Sequence, residues 1–305
     1  MKRSKEHTWQ AHTIQETQNK MFEAGHVCPC AVERAFSVFG AKFNRGKRSM
    51  YESLFSLEGK TAVITGGNGY LGSALSRALA DFGANVVVAD LTERDTGDDR
   101  LAFIACDVSD TESIRRLFVK TEERFGRIDV LVNGATYGAG YGPDGKVERM
   151  SDEDWQKGLD GAAGTVFRCT REVIPYMEKN GGGSIVNFAS MYGMVSPDPS
   201  IYGDSGANNP VNYGAGKAAV LQFTRYCAAH LASKGIRVNS VTPGPFPNPQ
   251  TQQNKPFLEQ LNKKTMLGRA GSAEEMIGAV LLLASGASSY MTGSNIVVDG
   301  GWTAW

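Results

Sequence analysis

The chain has 305 residues, enough for one large α/β domain or two small ones. Lys+Arg and Asp+Glu number 32 each, so the overall balance implies no polyanionic partner such as a nucleic acid. Five irregularly spaced cysteines point to a reducing compartment, hence a cytoplasmic protein, and no apolar run approaches the ~20 residues of a membrane span.

Residues 1–49 are polar and basic, with nine Lys/Arg against four Glu, which leaves the remainder net acidic. Val32, Phe36, Phe39 and Phe43 recur at helical spacing and allow one short amphipathic helix. No apolar core follows the basic residues, as a secretory signal requires, and the four Glu argue against a transit peptide. Cys28-Pro29-Cys30 lacks the second pair of a zinc site, and His7, His12, His26 and His230 form no ligand cluster, so no metal is expected. Residues 1–52 read as an N-terminal extension, either a dispensable flexible tail or a stretch preceding a true start at Met50. Residues 53–305 read as one domain.

From residue 57 the pattern changes. Residues 60–65 are a short apolar strand, followed by Gly66-Gly67-Asn68-Gly69-Tyr70-Leu71-Gly72 and a helix to about 82. Residues 85–90 form a second buried strand that ends in Asp90. Strand, glycine turn, helix, then a strand ending in an acid is the dinucleotide-binding unit. Its glycines let the backbone approach a pyrophosphate, which the helix N-terminus attracts. Asp90 is placed to accept hydrogen bonds from a ribose diol and to repel a 2′-phosphate, so NAD is expected, with NADP as the minority reading that nearby Arg94 keeps open.

The alternation continues with a strand at 101–105, a helix at 110–125 and a strand at 128–132 running into Asn133-Gly134-Ala135-Thr136. Helical segments at 152–155 and 165–177 precede a strand at 184–188 that delivers Ser190. A long helix from 212 to about 232 opens with Tyr213-Gly214-Ala215-Gly216-Lys217. A strand at 237–241, a helix at 273–284 and a last strand at 295–298 complete the series. Repeated βα units with apolar strands predict an α/β fold, a Rossmann-like doubly wound parallel sheet covered on both faces. Ligands bind at the carboxyl ends of such strands, where Asp90, Asn133, Ser190 and Pro243-Gly244 all fall.

Tyr213 and Lys217 lie four positions apart and so share one face of their helix. A phenol ionises near pH ~10. An ammonium one turn away favours the phenolate, so the pair is a proton-transfer device, with Ser190 as a hydroxyl able to hold a substrate oxygen.

These residues together resemble the short-chain dehydrogenase/reductase family, in its single-domain branch of about 250 residues. The loop at 65–72 is similar to the family's cofactor turn, Asp107-Val108 to its adenine contact, and Asn133-Gly134-Ala135 to its Asn-Asn-Ala-Gly motif. Asn187-Phe188-Ala189-Ser190 match the strand carrying the catalytic serine, and Tyr213 and Lys217 match its Tyr-x-x-x-Lys pair. Pro243, Gly244 and Phe246 match the nicotinamide-side turn. The resemblance implies catalysis by Ser190, Tyr213 and Lys217. It implies a cofactor held by Gly66, Asn68, Gly69, Tyr70, Leu71, Gly72, Asp90, Asp107, Val108, Asn133, Ala135, Tyr213, Lys217, Pro243, Gly244 and Phe246. It also implies a homotetramer, with the aromatic ending Trp302 to Trp305 suited to a subunit contact.

Four departures from the family pattern stand out. Tyr70 occupies a position where this branch has glycine. Thr136 replaces the last residue of Asn-Asn-Ala-Gly. Ser190 and Tyr213 are separated by a longer span than usual, with an insertion at 196–212 rich in Asp and Asn. A count from Trp155 places Ala162 where the family has an asparagine that holds a proton-relay water; either Thr165, about one turn on, holds that water instead or the insertion delivers protons by another route. The expected activity is an NAD(H)-dependent oxidoreductase acting on a sugar, sugar acid or polyol, similar in flavour to gluconate 5-dehydrogenases. The alternatives are a 3-oxoacyl thioester reductase and, from another class, a redox-inert nucleotide-binding regulator.

Overall fold

The computed structural model describes residues 50–93, 98, 100–138 and 143–305. Arg94, the Cys28/Cys30 pair and the Phe36 stripe lie outside the described residues. Seven strands form one sheet: β1 (Thr61–Thr65), β2 (Asn85–Asp90), β3 (Leu101–Ala105), β4 (Val130–Asn133), β5 (Gly183–Phe188), β6 (Ile236–Pro243) and β7 (Asn295–Val298). Their order is β3-β2-β1-β4-β5-β6-β7, and every neighbouring pair is parallel. This is the doubly wound Rossmann-like sheet that the βα alternation predicts. The order reverses between β1 and β4, and the crevice at that switch point opens at the strands' carboxyl ends.

Alternate residues of each strand feed opposite faces, as the two-residue period of a strand requires. Ala62, Ile64, Val86 and Val88 enter one core, where helix α1 (Tyr70–Asp81) contributes Leu75 and Leu79. Val63, Val87 and Ala89 enter the other. There α2 (Thr111–Phe125) supplies Ile114, Leu117 and Phe118. All five residues of β1 are buried, which is why its sequence is continuously apolar or threonine rather than alternating. Asp110 caps α2 by accepting from Glu112 N and Ser113 N, and Gly126 closes it in the left-handed region at φ 73°.

The remaining helices are α3 (Asp152–Leu159), α4 (Thr165–Lys179), α5 (Val211–Leu231), α6 (Lys255–Lys264) and α7 (Ile277–Ala284). The two helical segments expected at 152–155 and 165–177 are one run, because a π-helical turn, Asp160–Gly164, joins α3 to α4. Met50–Trp305 forms one compact unit, which opens with the short helical turn Met50–Leu54. α6, not anticipated from the sequence, reads there as a polar stretch with few apolar residues. At the C-terminus Trp302 is buried within its own chain beside Met191, Ile201 and Leu261, while Ala304 and Trp305 stand exposed.

Candidate active site

The cofactor turn is shaped by contacts that only glycine tolerates. Gly66 sits at φ 70°, and a Cβ there would lie 3.0 Å from Ala135 Cα. A Cβ on Gly72 would fall 2.2 Å from Gly66 O, so α1 starts directly beneath the turn. Gly69 caps α1 without a side-chain hydrogen bond, which leaves the first N–H groups of the helix turned to the crevice for an anion. The Asp90 carboxylate accepts from Asn68 N at 3.0 Å and Leu91 N at 2.8 Å, fixing it beside the turn. Thr65 Oγ1 accepts from Gly134 N and Ala135 N, which ties the ends of β1 and β4 into one floor. The cradle therefore fits a dinucleotide.

Several expected contacts are assigned differently by side chain and backbone. Tyr70 Oη accepts from Ala273 N at 3.2 Å, and Leu71 packs into the core, so both leave only their backbone for a nucleotide at the start of α1. Asn133 is buried; its Nδ2 donates to Asn187 Oδ1 at 2.9 Å, and Asn187 in turn donates to Thr224 Oγ1. Its side chain thus braces β4 against β5 and α5. Asp107 accepts from the hydroxyl and N–H of Ser109, which hold its carboxyl below the usual range. Val108 O accepts from Arg168 Nε. Gly244 lies so close to Asp299 that a Cβ would meet its Cα at 2.5 Å, and the Phe246 ring lies against Gly271.

Ser190 and Tyr213 come together despite the insertion because two glycines allow backbone-to-backbone packing. A Cβ on Gly193, in the turn after Ser190, would lie 2.7 Å from Lys217 C. A Cβ on Gly214, beside Tyr213, would lie 2.8 Å from Tyr192 O. Ser190 Oγ accepts from Tyr192 N at 3.2 Å, which orients the hydroxyl. Lys217 is 4 % exposed, donates to Phe188 O at 2.8 Å, and holds its Nζ 5.8 Å from the centroid of the Tyr213 ring. Burial lowers its pKa from 10.5 to about 8.

Ala162 lies in the π turn, buried against Gly216, the residue before Lys217; a Cβ on Gly216 would approach Ala162 Cβ to 2.6 Å. The count from Trp155 therefore lands beside α5, which carries Tyr213 and Lys217. Thr165 lies one turn beyond Ala162 and is buried. Its hydroxyl donates to Ala162 O at 3.1 Å and approaches Gly161 O at 3.4 Å, within its own helical run. An unexpected cluster steadies this turn. Arg168 pairs with Asp160 at 2.7 Å, and the Tyr137 hydroxyl also donates to Asp160. With the Arg168–Val108 bond, the cluster links the turn after β4, the π turn and the predicted adenine side.

The insertion lines a cavity of about 850 Å³ together with the loop after β6 and one face of α6. Tyr192 was missed in the sequence; its place two residues after Ser190 was the available signal. Burial and its hydrogen bond to Tyr202 push the Tyr192 phenol well above the usual range. Tyr192 also meets Trp302 edge-on, while Tyr202 stacks on Phe257 at 5.5 Å. Among the described residues no three His, Cys, Asp or Glu side chains gather as a metal site, and no helix is long and apolar enough to cross a membrane.

Residues 69–303 match the family described as enoyl-(acyl carrier protein) reductase. The 3-oxoacyl-[acyl-carrier-protein] reductase of Thermotoga maritima is 36% identical over 255 residues, 80% of this chain and 98% of that one. A short-chain dehydrogenase from Leptospira borgpetersenii, solved with NAD+, superposes with TM-score 0.74 at 31% identity, covering 84% of this chain and 97% of that one. A gluconate 5-dehydrogenase from Burkholderia cenocepacia, solved with NADP and tartrate, gives TM-score 0.74 at 29% identity over 84% and 99%. With the glycine turn, Ser190, Tyr213 and Lys217 in one crevice, the chain belongs to the short-chain dehydrogenase/reductase family of oxidoreductases.

Proposed function

We propose that this protein is an NAD(H)-dependent oxidoreductase acting on a CH–OH group of a sugar, sugar acid or polyol. The observation that carries the substrate reading is the insertion. It begins just past the Ser190 turn, ends at Tyr213, and lines a cavity with amide and hydroxyl side chains. Asp90 supports the choice of NAD, because its carboxylate is fixed beside the turn where a 2′-phosphate would be repelled. Bound NAD supplies the hydride acceptor. The chain's own residues handle position and proton. Ser190 holds the substrate oxygen, Tyr213 exchanges the carbinol proton, and Lys217, as an ammonium, favours the phenolate and holds the cofactor ribose.

The similarity to 3-oxoacyl thioester reductases favours a second reading, reduction of a 3-oxoacyl thioester, in which NADP would be the expected cofactor. A screen of polyols, sugars, sugar acids and a 3-oxoacyl thioester with both cofactors, followed by nicotinamide absorbance, separates the two. Turnover of the thioester alone would overturn the first reading. The proposal includes a homotetramer in the cytoplasm; sedimentation as a monomer at micromolar concentration would remove the assembly.

A further inference from the structure

The charge of the cavity wall narrows the substrate class. Among the residues lining the 850 Å³ cavity there is no Lys, Arg or His, and Asp204 at the exposed rim is the one charged side chain. α6 carries three lysines, and none is among the lining residues, although Lys255 stands exposed between the lining Asn254 and Pro256. α6 shows the cavity Pro256, Phe257, Gln260 and Leu261, which share one helical face. Its Lys263 is paired with Glu259 at 2.8 Å and its Lys264 with Asp198 at 2.5 Å. The rest of the wall mixes apolar side chains such as Ile201, Tyr202 and Phe257 with hydroxyls and the amides Asn208, Asn209 and Gln260.

We propose that this cavity selects an uncharged polyhydroxylated substrate and disfavours its carboxylate analogue. The inference rests on the reading of the chain as an oxidoreductase of hydroxyl groups. Hydroxyls exchange their water for amide partners, and the carbon face of such a molecule covers ring surface. A carboxylate entering the same space loses hydration, finds no cation, and faces Asp204. The amide-rich lining separates this case from a purely apolar pocket, which would reject hydroxyls as well.

The test reads binding apart from turnover. Full-length protein with saturating NADH, whose nicotinamide is uncharged, is titrated calorimetrically with four- to six-carbon polyols, each matched with its aldonate. At least one polyol should bind about tenfold or more tightly than its aldonate, and Asp204→Lys should close that gap about tenfold by improving the aldonate alone. Equal or tighter aldonate binding by the wild type, no polyol binding, or an unchanged gap in Asp204→Lys overturns the inference. The same panel is followed for nicotinamide turnover. A polyol preference in calorimetry without turnover of any alcohol would count against the oxidoreductase reading and leave the selection standing.

Discussion

Two phenols flank Ser190, and their surroundings give them different work. Tyr192 is half-buried and bonded to Tyr202, so its proton is held more tightly than a phenol's in water. Tyr213 lies over the Lys217 ammonium. Tyr213 is therefore the better-suited phenol for proton exchange, and Tyr213→Phe is expected to lower turnover by about 10²–10⁴-fold with NAD affinity nearly unchanged. A loss below about tenfold in kcat would mean that another group carries the proton. At the other end of the crevice, Asp90 is held by two backbone N–H groups and so faces the ribose as a fixed carboxylate. Asp90→Ala should relax the preference toward NADP by removing repulsion of the 2′-phosphate. Tighter binding of NADPH than NADH by the wild type would show that Asp90 does not set the choice.

At the level of elements, the insertion at 196–212 is pinned at both ends and also from the side. Asp198 pairs with Lys264, and Tyr202 stacks on Phe257, so the loop and α6 form one wall of the cavity. Shortening the loop while keeping Pro210 before α5 should change the substrate profile and leave NAD affinity alone; an unchanged profile would reduce the insertion to a surface excursion. Strands were legible in the sequence as short apolar runs between turn residues, and β2, β3 and β7 begin and end where the pattern places them. Ser190, Tyr213 and Lys217 were legible because their spacing follows from the helix and the strand that carry them. The π turn was not, since Asp160-Gly-Ala-Ala-Gly164 has no periodicity of its own and exists because Asp160 is tied to Arg168 and Tyr137. α6 was hidden for a similar reason. Its apolar positions Phe257 and Leu261 pack on the insertion and Trp302, partners that no local pattern announces.

For the molecule as a whole, the buried Lys217 is a source of instability. Lys217 is sealed in the protein with one hydrogen bond, to Phe188 O, and burial brings its pKa from 10.5 to about 8. The folded state therefore binds fewer protons than the unfolded state between those two values, and stability rises with pH across that window. Below pH 8 the full cost of the buried ammonium is present, of the order of 3 kcal/mol from the size of the change. Lys217→Met removes that charge but leaves the Phe188 carbonyl unpaired, a loss of about 1–3 kcal/mol. The net expectation is a gain of about 1 kcal/mol near pH 6.5, or roughly 2–4 °C in melting temperature for a domain of this size. Turnover should be lost at the same time, because the ammonium beside Tyr213 is gone. Melting curves recorded without nucleotide between pH 6.5 and pH 10 check the sign. The variant should melt above the wild type at the acid end, and the difference should shrink as pH rises through 8, because the wild-type lysine then sheds its proton. A variant that melts no higher at pH 6.5, or a difference that does not narrow, would show that Lys217 is not held as a costly buried charge.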